Sequence, residues 1–471
     1  MLGRSRLRLA IAISLLLVLS RSTFAQAPPE TTPTPTDPQL EELKREIQSQ
    51  RAAIEKLEAE AKRNEETLRQ MQEKADAQAK EAKSAAKAAK PQPLTVFGFN
   101  PPPAQEGAPS AILRISDSVA FRFGAEVQLN YEALQDVNSG GYSQNFYIRR
   151  GRFLMLGALP HGVTLFLQTD GGAMLGYAGQ NGVKNVNSGF RFIDALAHWA
   201  FAGKTMALEA GLFLVPSVRQ RLTKNWEFMS LDLATWVFQE QTPLTENANR
   251  DYGVGLDGVI LNDRLSYRFD VLDGHRYPAG APEPPHGAPA GSRNSPRIAG
   301  RLMYDFFEPE YAYAYNGTFL RPNKVASLAF VGDGQGYYKA FGGDAFFQWP
   351  VGSGSVTFEA DYLHYDAHHF VYNIGGTPTP LPEQQTFFTN AGYCFLGYKL
   401  QPWVRFETLT YAEPVNLAKE QSRVGGGVNY YVLGFNFKLT AAYERILNKV
   451  QPPTAAIKNQ NRFVFQVQGW Y

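Results

Sequence analysis

Residues 119–133 read VAFRFGAEVQLNYEA, and their alternation sets the terms for the rest of the chain. Val119, Phe121, Phe123, Ala125, Val127, Leu129, Tyr131 and Ala133 fall on one face. Arg122, Gly124, Glu126, Gln128, Asn130 and Glu132 fall on the other. A period of two is the mark of a β-strand with one apolar and one polar side. In a soluble sandwich the apolar side packs on a second sheet, and in a membrane barrel it meets lipid. The strand fits both, and what surrounds it decides.

Working outward, sixteen candidate strands lie near 119–133, 144–158, 162–170, 190–201, 205–214, 251–261, 264–273, 295–306, 324–331, 337–349, 354–366, 386–399, 401–412, 422–432, 434–446 and 461–471. Connections after even-numbered strands are mostly very short, as at Leu159-Pro160-His161-Gly162, Gly203-Lys204, Asn262-Asp263 and Gln401-Pro402. Most connections after odd-numbered strands are long, at 171–189, 215–250, 274–294, 367–385 and 447–460. Tight turns at one end and long loops at the other are the plan of a transmembrane barrel with periplasmic turns and extracellular loops. The stretch 307–323 is the misfit, too long for a turn. In the closing residues, NRFVFQVQGWY (461–471), Phe463, Phe465, Val467, Gly469 and Tyr471 alternate up to an aromatic end. This resembles the terminal strand by which bacterial outer-membrane barrels are recognised for insertion, with Tyr in place of the usual Phe. The expected fold is therefore an all-β transmembrane barrel of about 16 antiparallel strands over residues 111–471.

The first part of the chain is of another kind. Arg4, Arg6 and Arg8 precede an apolar run from Leu9 to Leu19 and small residues at Thr23-Phe24-Ala25, which reads as a signal peptide over 1–25. That run is too short for a spanning helix, and no later segment is long enough either. Residues 26–38 and 91–110 read as Pro-rich linkers. Between them, 39–90 contain no Gly, Pro or aromatic residue. A 3-4 spacing runs unbroken from Leu40, Leu43, Ile47, Gln50, Ile54 and Leu57 to Ala89, giving seven heptads. A strict seven-residue repeat predicts an α-helical coiled coil, placed in the periplasm, whose polar layers at Gln50, Asn64 and Gln78 fix register. A lone solvated helix, or one folded back on the barrel, is the plainer alternative.

The formal net charge of +2 comes from the first part, because residues 101–471 hold 30 Lys and Arg against 31 Asp and Glu. Any anion preference must come from where a few cations sit, not from a global basic field. No nucleotide loop, Ser/His/Asp arrangement or basic nucleic-acid stripe is present, so neither an enzyme nor a nucleic-acid partner is expected, and no cofactor. Cys394 is the single cysteine and reads as a structural thiol. His364, Asp366, His368 and His369 have metal-ligand chemistry, but a loop end with chance histidines is the simpler reading.

Several stretches resemble the phosphate-selective porin O and P family: FRFGAEVQLNYEA, YIRRGRFLMLGAL, ALEAGLFLVPSVRQRLT leading into a long loop, and NRDYGVGLDGVILNDRLSYRFDVLDG. The resemblance covers roughly residues 111–471. It implies a trimeric sixteen-stranded channel, in some members with a coiled coil ahead of the barrel, and a loop at 215–250 folded inward as a constriction.

For anions, rings or ladders of Arg and Lys are the expected filter, since guanidinium offers paired donors and a permanent charge. On the second strand, alternation puts Arg150 and Arg152 on one face, with Phe153 and Met155 left for lipid. Arg219, Arg221 and Lys224 lie in the long loop, and Arg122 and Arg191 are further inward-facing candidates. The competing readings are pairing with Glu126, Glu132 or Asp170 on the strands, and solvated extracellular charges in the loop. The sequence thus predicts an outer-membrane porin for small anionic solutes, phosphate among the candidates, embedded in lipid as a homotrimer with both termini in the periplasm. The alternative is a structural anchor whose coiled coil tethers the envelope to the cell wall.

Overall fold

The computed structural model describes residues 111–451, except 117, 172–183, 185–188, 235–248, 275–294, 337, 367–370, 375–376 and 381, together with 455–471 and scattered residues between 45 and 70. The scattered residues are helical and exposed. The expected signal peptide, both linkers and every seam position of the heptads lie outside the described residues. The chain divides into units 1–90 and 91–471.

The second unit opens with β1 (Ala111–Ser116), β2 (Val119–Gln135), β3 (Tyr142–Leu159), β4 (Val163–Gly171), β5 (Phe190–Trp199) and β6 (Ala207–Leu214). Beyond a long loop come β7 (Arg250–Ile260), β8 (Leu265–Leu272), β9 (Arg297–Asp305), β10 (Val325–Gln335), β11 (Tyr338–Val351) and β12 (Gly354–Asp366). A small hairpin, β13 (Val371–Ile374) and β14 (Thr377–Pro380), stands apart from the main sheet. The chain finishes with β15 (Gln384–Cys394), β16 (Leu400–Tyr411), β17 (Gln421–Phe435), β18 (Phe437–Asn448) and β19 (Gln460–Trp470).

From β2 onward each strand pairs antiparallel with the next one in the main sheet, and β19 returns to β2 in register Arg462↔Leu134 to Trp470↔Glu126. The sixteen strands β2 to β12 and β15 to β19 therefore close into a barrel with no free edge. All sixteen expected strands are present, with ends shifted by a few residues. β1 was not expected. It pairs with β2 at Val119–Phe123, continuing the line of β19 along the lower edge of β2.

The alternation sorts inside from outside. On β10, Ser327, Ala329 and Val331 are buried while Leu328 and Phe330 are exposed, Phe330 by 74%. Exposed large apolar side chains recur around the outside on nearly every strand, the arrangement of a lipid-facing surface. Aromatic pairs stand at both ends of the strands: Trp199 with Phe201, Phe307 with Trp349 and Tyr393 with Phe395 at the short turns, Tyr142 with Phe463 and Phe153 with Phe190 towards the long loops. Aromatic rings of this kind sit at the level of lipid headgroups. One of the short turns, Leu261-Asn262-Asp263 between β7 and β8, has three consecutive positive φ angles, a conformation that Asn and Asp tolerate better than most residues.

Candidate functional site: a lumen crossed by two inserts

The inward faces are polar and charged, yet almost all of these side chains are buried. What buries them is polypeptide entering the barrel from both ends.

From the end with the long loops, the segment after β6 turns inward. Its base is tied by Val215 N–H to the Asn249 carbonyl at 3.0 Å and by Asn249 Nδ2 to the Val215 carbonyl at 3.1 Å. The first limb reaches the wall of β11 and β12 as a helical turn, Arg219–Leu222. Asp344 and Asp361 accept from the Arg219 and Gln220 backbone N–H groups at 3.0 and 3.3 Å, which satisfies the donors that a helical turn leaves open at its start. The chain then crosses to the opposite wall. There Gln468 donates to the Trp226 carbonyl at 2.9 Å, Lys438 to that of Phe228 at 3.0 Å and Asn429 to that of Met229 at 2.7 Å. The limb ends at Asp232, which binds Arg149 at 2.6 Å and Arg150 at 2.5 Å.

From the other end enters the connection between β9 and β10, residues 306–324, the stretch too long for a turn. Tyr313 OH donates to Asp194 at 2.7 Å and accepts from the Leu214 N–H at 2.7 Å, and Tyr311 OH donates to Asp257. On the descending limb, Gln348 takes the Phe319 N–H at 2.8 Å and donates back to its carbonyl at 3.1 Å. The two inserts meet in mid-lumen. Thr223 and Tyr315 form a parallel bridge, with Lys224 N–H to the Tyr315 carbonyl at 3.0 Å and Tyr315 N–H to the Leu222 carbonyl at 2.8 Å.

Among solved structures, the barrel is similar to an anion-selective porin from Comamonas acidovorans, with 11% identity and a TM-score of 0.50 over 75% of this chain and 100% of that one. The fold is that of a porin. The outer membrane channel DcaP of Acinetobacter baumannii gives 11% identity and a TM-score of 0.47 over 76% of this chain and 99% of that one. Salmonella typhi OmpF in complex with daunomycin gives 10% and 0.47 over 76% and 100%. No family model and no curated protein matches the sequence.

In this porin barrel five of the seven candidate cations come together at the level of the inserts. Arg150 and Arg152 face the lumen as alternation requires, and Phe153 is exposed outside. Arg150 also donates to Gln128 at 2.6 Å, and Arg152 pairs with Asp170 at 3.1 Å. Arg219 is fully buried, bound to Glu310 at 2.6 Å and to the Asn316 carbonyl at 2.7 Å, with its guanidinium 3.6 Å over the Phe346 ring. Burial alone would lower its pKa, but Glu310 and Glu359 outweigh that and raise it. Arg221 donates to the Tyr365 hydroxyl at 3.3 Å, and Lys224 to Asn316 Oδ1 at 2.6 Å. The loop cations are thus luminal, not solvated outside. Arg122 is half-buried near the short-turn end, and Arg191 is exposed at the rim opposite Asp170, away from the other five.

Of the carboxylates expected to answer the strand cations, Asp170 does so at Arg152, whereas Asp232 takes Arg150, and Glu132 takes Arg462 at 2.6 Å. Arg149 joins the site through a bulge. Gln128 pairs with Arg150 and Leu129 with Ile148, so Arg149 is the extra residue and turns inward beside Arg150. Strict alternation hides it on the lipid side. Sequence reasoning also passed over Arg250, Arg297, Arg301, Arg405, Arg423 and Arg462, all inward and in ion pairs. Arg297 and Arg301, four apart on one strand, carried the period-two signal that would have found them.

His364 stands at the outer end of β12 against the Phe341 ring at 4.8 Å, with Glu383 3.6 Å away. His368 and His369 lie outside the described residues, and among the described residues no group of three His, Cys, Asp or Glu side chains is placed to hold a metal. Cys394, at the end of β15, is fully buried.

Proposed function

We propose that the chain is an outer-membrane porin of a Gram-negative-type bacterium, passing small anionic solutes, with phosphate a candidate, by passive diffusion. The observation that carries this reading is the gathering of Arg150, Arg152, Arg219, Arg221 and Lys224 around the crossing loop, although the barrel has no net positive charge. Fixed guanidiniums at a constriction select anions by position, since charge in a narrow, poorly screened lumen acts over the whole passage. The similarity to a protein described as anion-selective agrees with it. The kinship with the phosphate-selective porin O and P family, the homotrimer, the periplasmic coiled coil over 39–90 and the position of the termini belong to the same proposal. Reversal potentials in planar bilayers under a salt gradient test it. Anion preference at neutral pH is expected, and cation preference or the lack of any channel overturns it.

The structural-anchor reading is favoured by one feature, the knitting of two inserts across the lumen at Thr223 and Tyr315. It predicts that deleting 39–90 loosens the envelope while leaving single-channel conductance unchanged. Discrete channels with unaltered envelope strength after the deletion would dismiss it.

A further inference from the structure

Between the two inserts lies a chamber whose lining is sorted by chemistry. Arg152 on β3, Arg221 and Lys224 in the loop and Arg250 at the start of β7 face it, and among the described residues no carboxylate lines it. The acidic partners of these cations stand outside the lining: Asp170 is 3.1 Å from Arg152, Asp194 is 3.0 Å from Arg250 and Glu227 is 3.6 Å from Lys224. Arg152 points to a ligand. It is only 6% exposed and uses Nη2 on Asp170, while its Nε and Nη1 have no hydrogen-bond acceptor among the described residues. Buried guanidinium donors without acceptors are unfavourable, and an oxyanion is the group that best satisfies them.

The remaining wall narrows the class of oxyanion. It has a polar part, Gln168, Thr223, Asn225 and Tyr313, and an apolar part, Leu214, Leu233, Ala314 and Trp226, with Trp226 held flat by stacking on Trp470 at 4.0 Å with an interplanar angle of 4°. Phosphate presents oxygen in every direction and would turn part of its hydrated surface against the apolar part, where no group replaces the lost water. A carboxylate on a carbon body has one end for the cations and one for the apolar wall. Deepening the anion-channel reading on which it rests, we propose that the chamber binds a small organic carboxylate, with its oxygens at Arg152 and Arg250 and its body against Trp226 and Leu233.

Isothermal titration of the full chain in detergent with benzoate tests this at neutral pH. One saturable site per chain is expected, undisturbed by inorganic phosphate at equal concentration. Arg152→Gln is expected to weaken binding at least tenfold. Should that variant fail to fold, the phosphate competition on the unaltered chain stands by itself. Absence of a saturable benzoate site, displacement by equal phosphate, or a folded Arg152→Gln chain that binds benzoate unchanged overturns the proposal. Bilayer selectivity keeps the two conclusions apart: anion preference without a benzoate site removes the chamber and leaves the channel, whereas benzoate binding with cation preference removes the channel reading and leaves the site.

Discussion

Asp232 holds the far limb of the loop against the wall through Arg149 and Arg150. Burial alone would raise its pKa, but the two guanidiniums outweigh burial and hold the carboxyl well below the ordinary range. A carboxylate depressed in the folded state stabilises it above the unfolded value of about 3.9 and loses that contribution only as pH falls through the folded one. The anchor should therefore persist through mild acid, and single-channel conductance should stay level between roughly pH 5 and pH 8 as far as this loop controls it. Asp232→Asn keeps the shape but leaves two guanidiniums facing a neutral amide. Removing one member of a buried pair costs about 3–5 kcal/mol, and the lower end applies here because Arg149 is 18% exposed. Faster backbone hydrogen exchange over 226–233 is the expected readout, and exchange equal to that of the unaltered chain would refute the anchor. At this scale the sequence was half legible: period two placed Arg150 and Arg152, whereas one bulged residue was enough to misplace Arg149.

At the scale of elements, the segment 306–324 was visible as an anomaly before it was understood. Tyr311, Tyr313 and Tyr315 alternate there, a density of aromatic groups unsuited to a solvated turn. Nothing local says that these rings have the lumen to fill, since their partners Asp257, Asp194 and Thr223 are 54 to 119 residues away or on the facing insert. Replacing 309–320 by a short turn should leave the barrel closed, because the β9–β10 ladder runs from Ser327↔Asp305 to Gly334↔Ile298 without using the insert. Single-channel conductance should rise at least twofold, and no rise would mean that the insert does not limit passage. A gentler change, Tyr313→Phe, removes the hydrogen bonds to Asp194 and from Leu214 N–H. Burial, followed by Asp194, already pushes this phenol's pKa up, so it serves as a neutral donor at any working pH. Losing it should cost about 1–3 kcal/mol of unfolding free energy, measured by denaturant titration in vesicles.

For the molecule as a whole, strand alternation and the contrast of short and long connections are local signals, and they located the whole cylinder. The interior was not legible in the same way. Closure brings Arg219 to Glu310 and Asp344, 91 and 125 residues along the chain, and only the finished barrel makes them neighbours. The same closure makes the exterior testable by depth. Leu302 lies in the middle of β9, exposed outward beside Phe330 of β10, whereas Phe306 stands just past the end of β9 at the rim. A cation on the lipid face costs about 2–4 kcal/mol at the bilayer midplane and roughly 0–1 near the interface, where the side chain reaches water. Leu302→Arg should therefore lower unfolding stability in vesicles by several times as much as Phe306→Arg. Since both replace an exposed apolar group by the same cation, packing inside the barrel is untouched and the difference reads the surrounding medium alone. Equal and small effects at the two positions would mean that the outer face of β9 is bathed in water, and no lipid-embedded channel could then be built on this sheet.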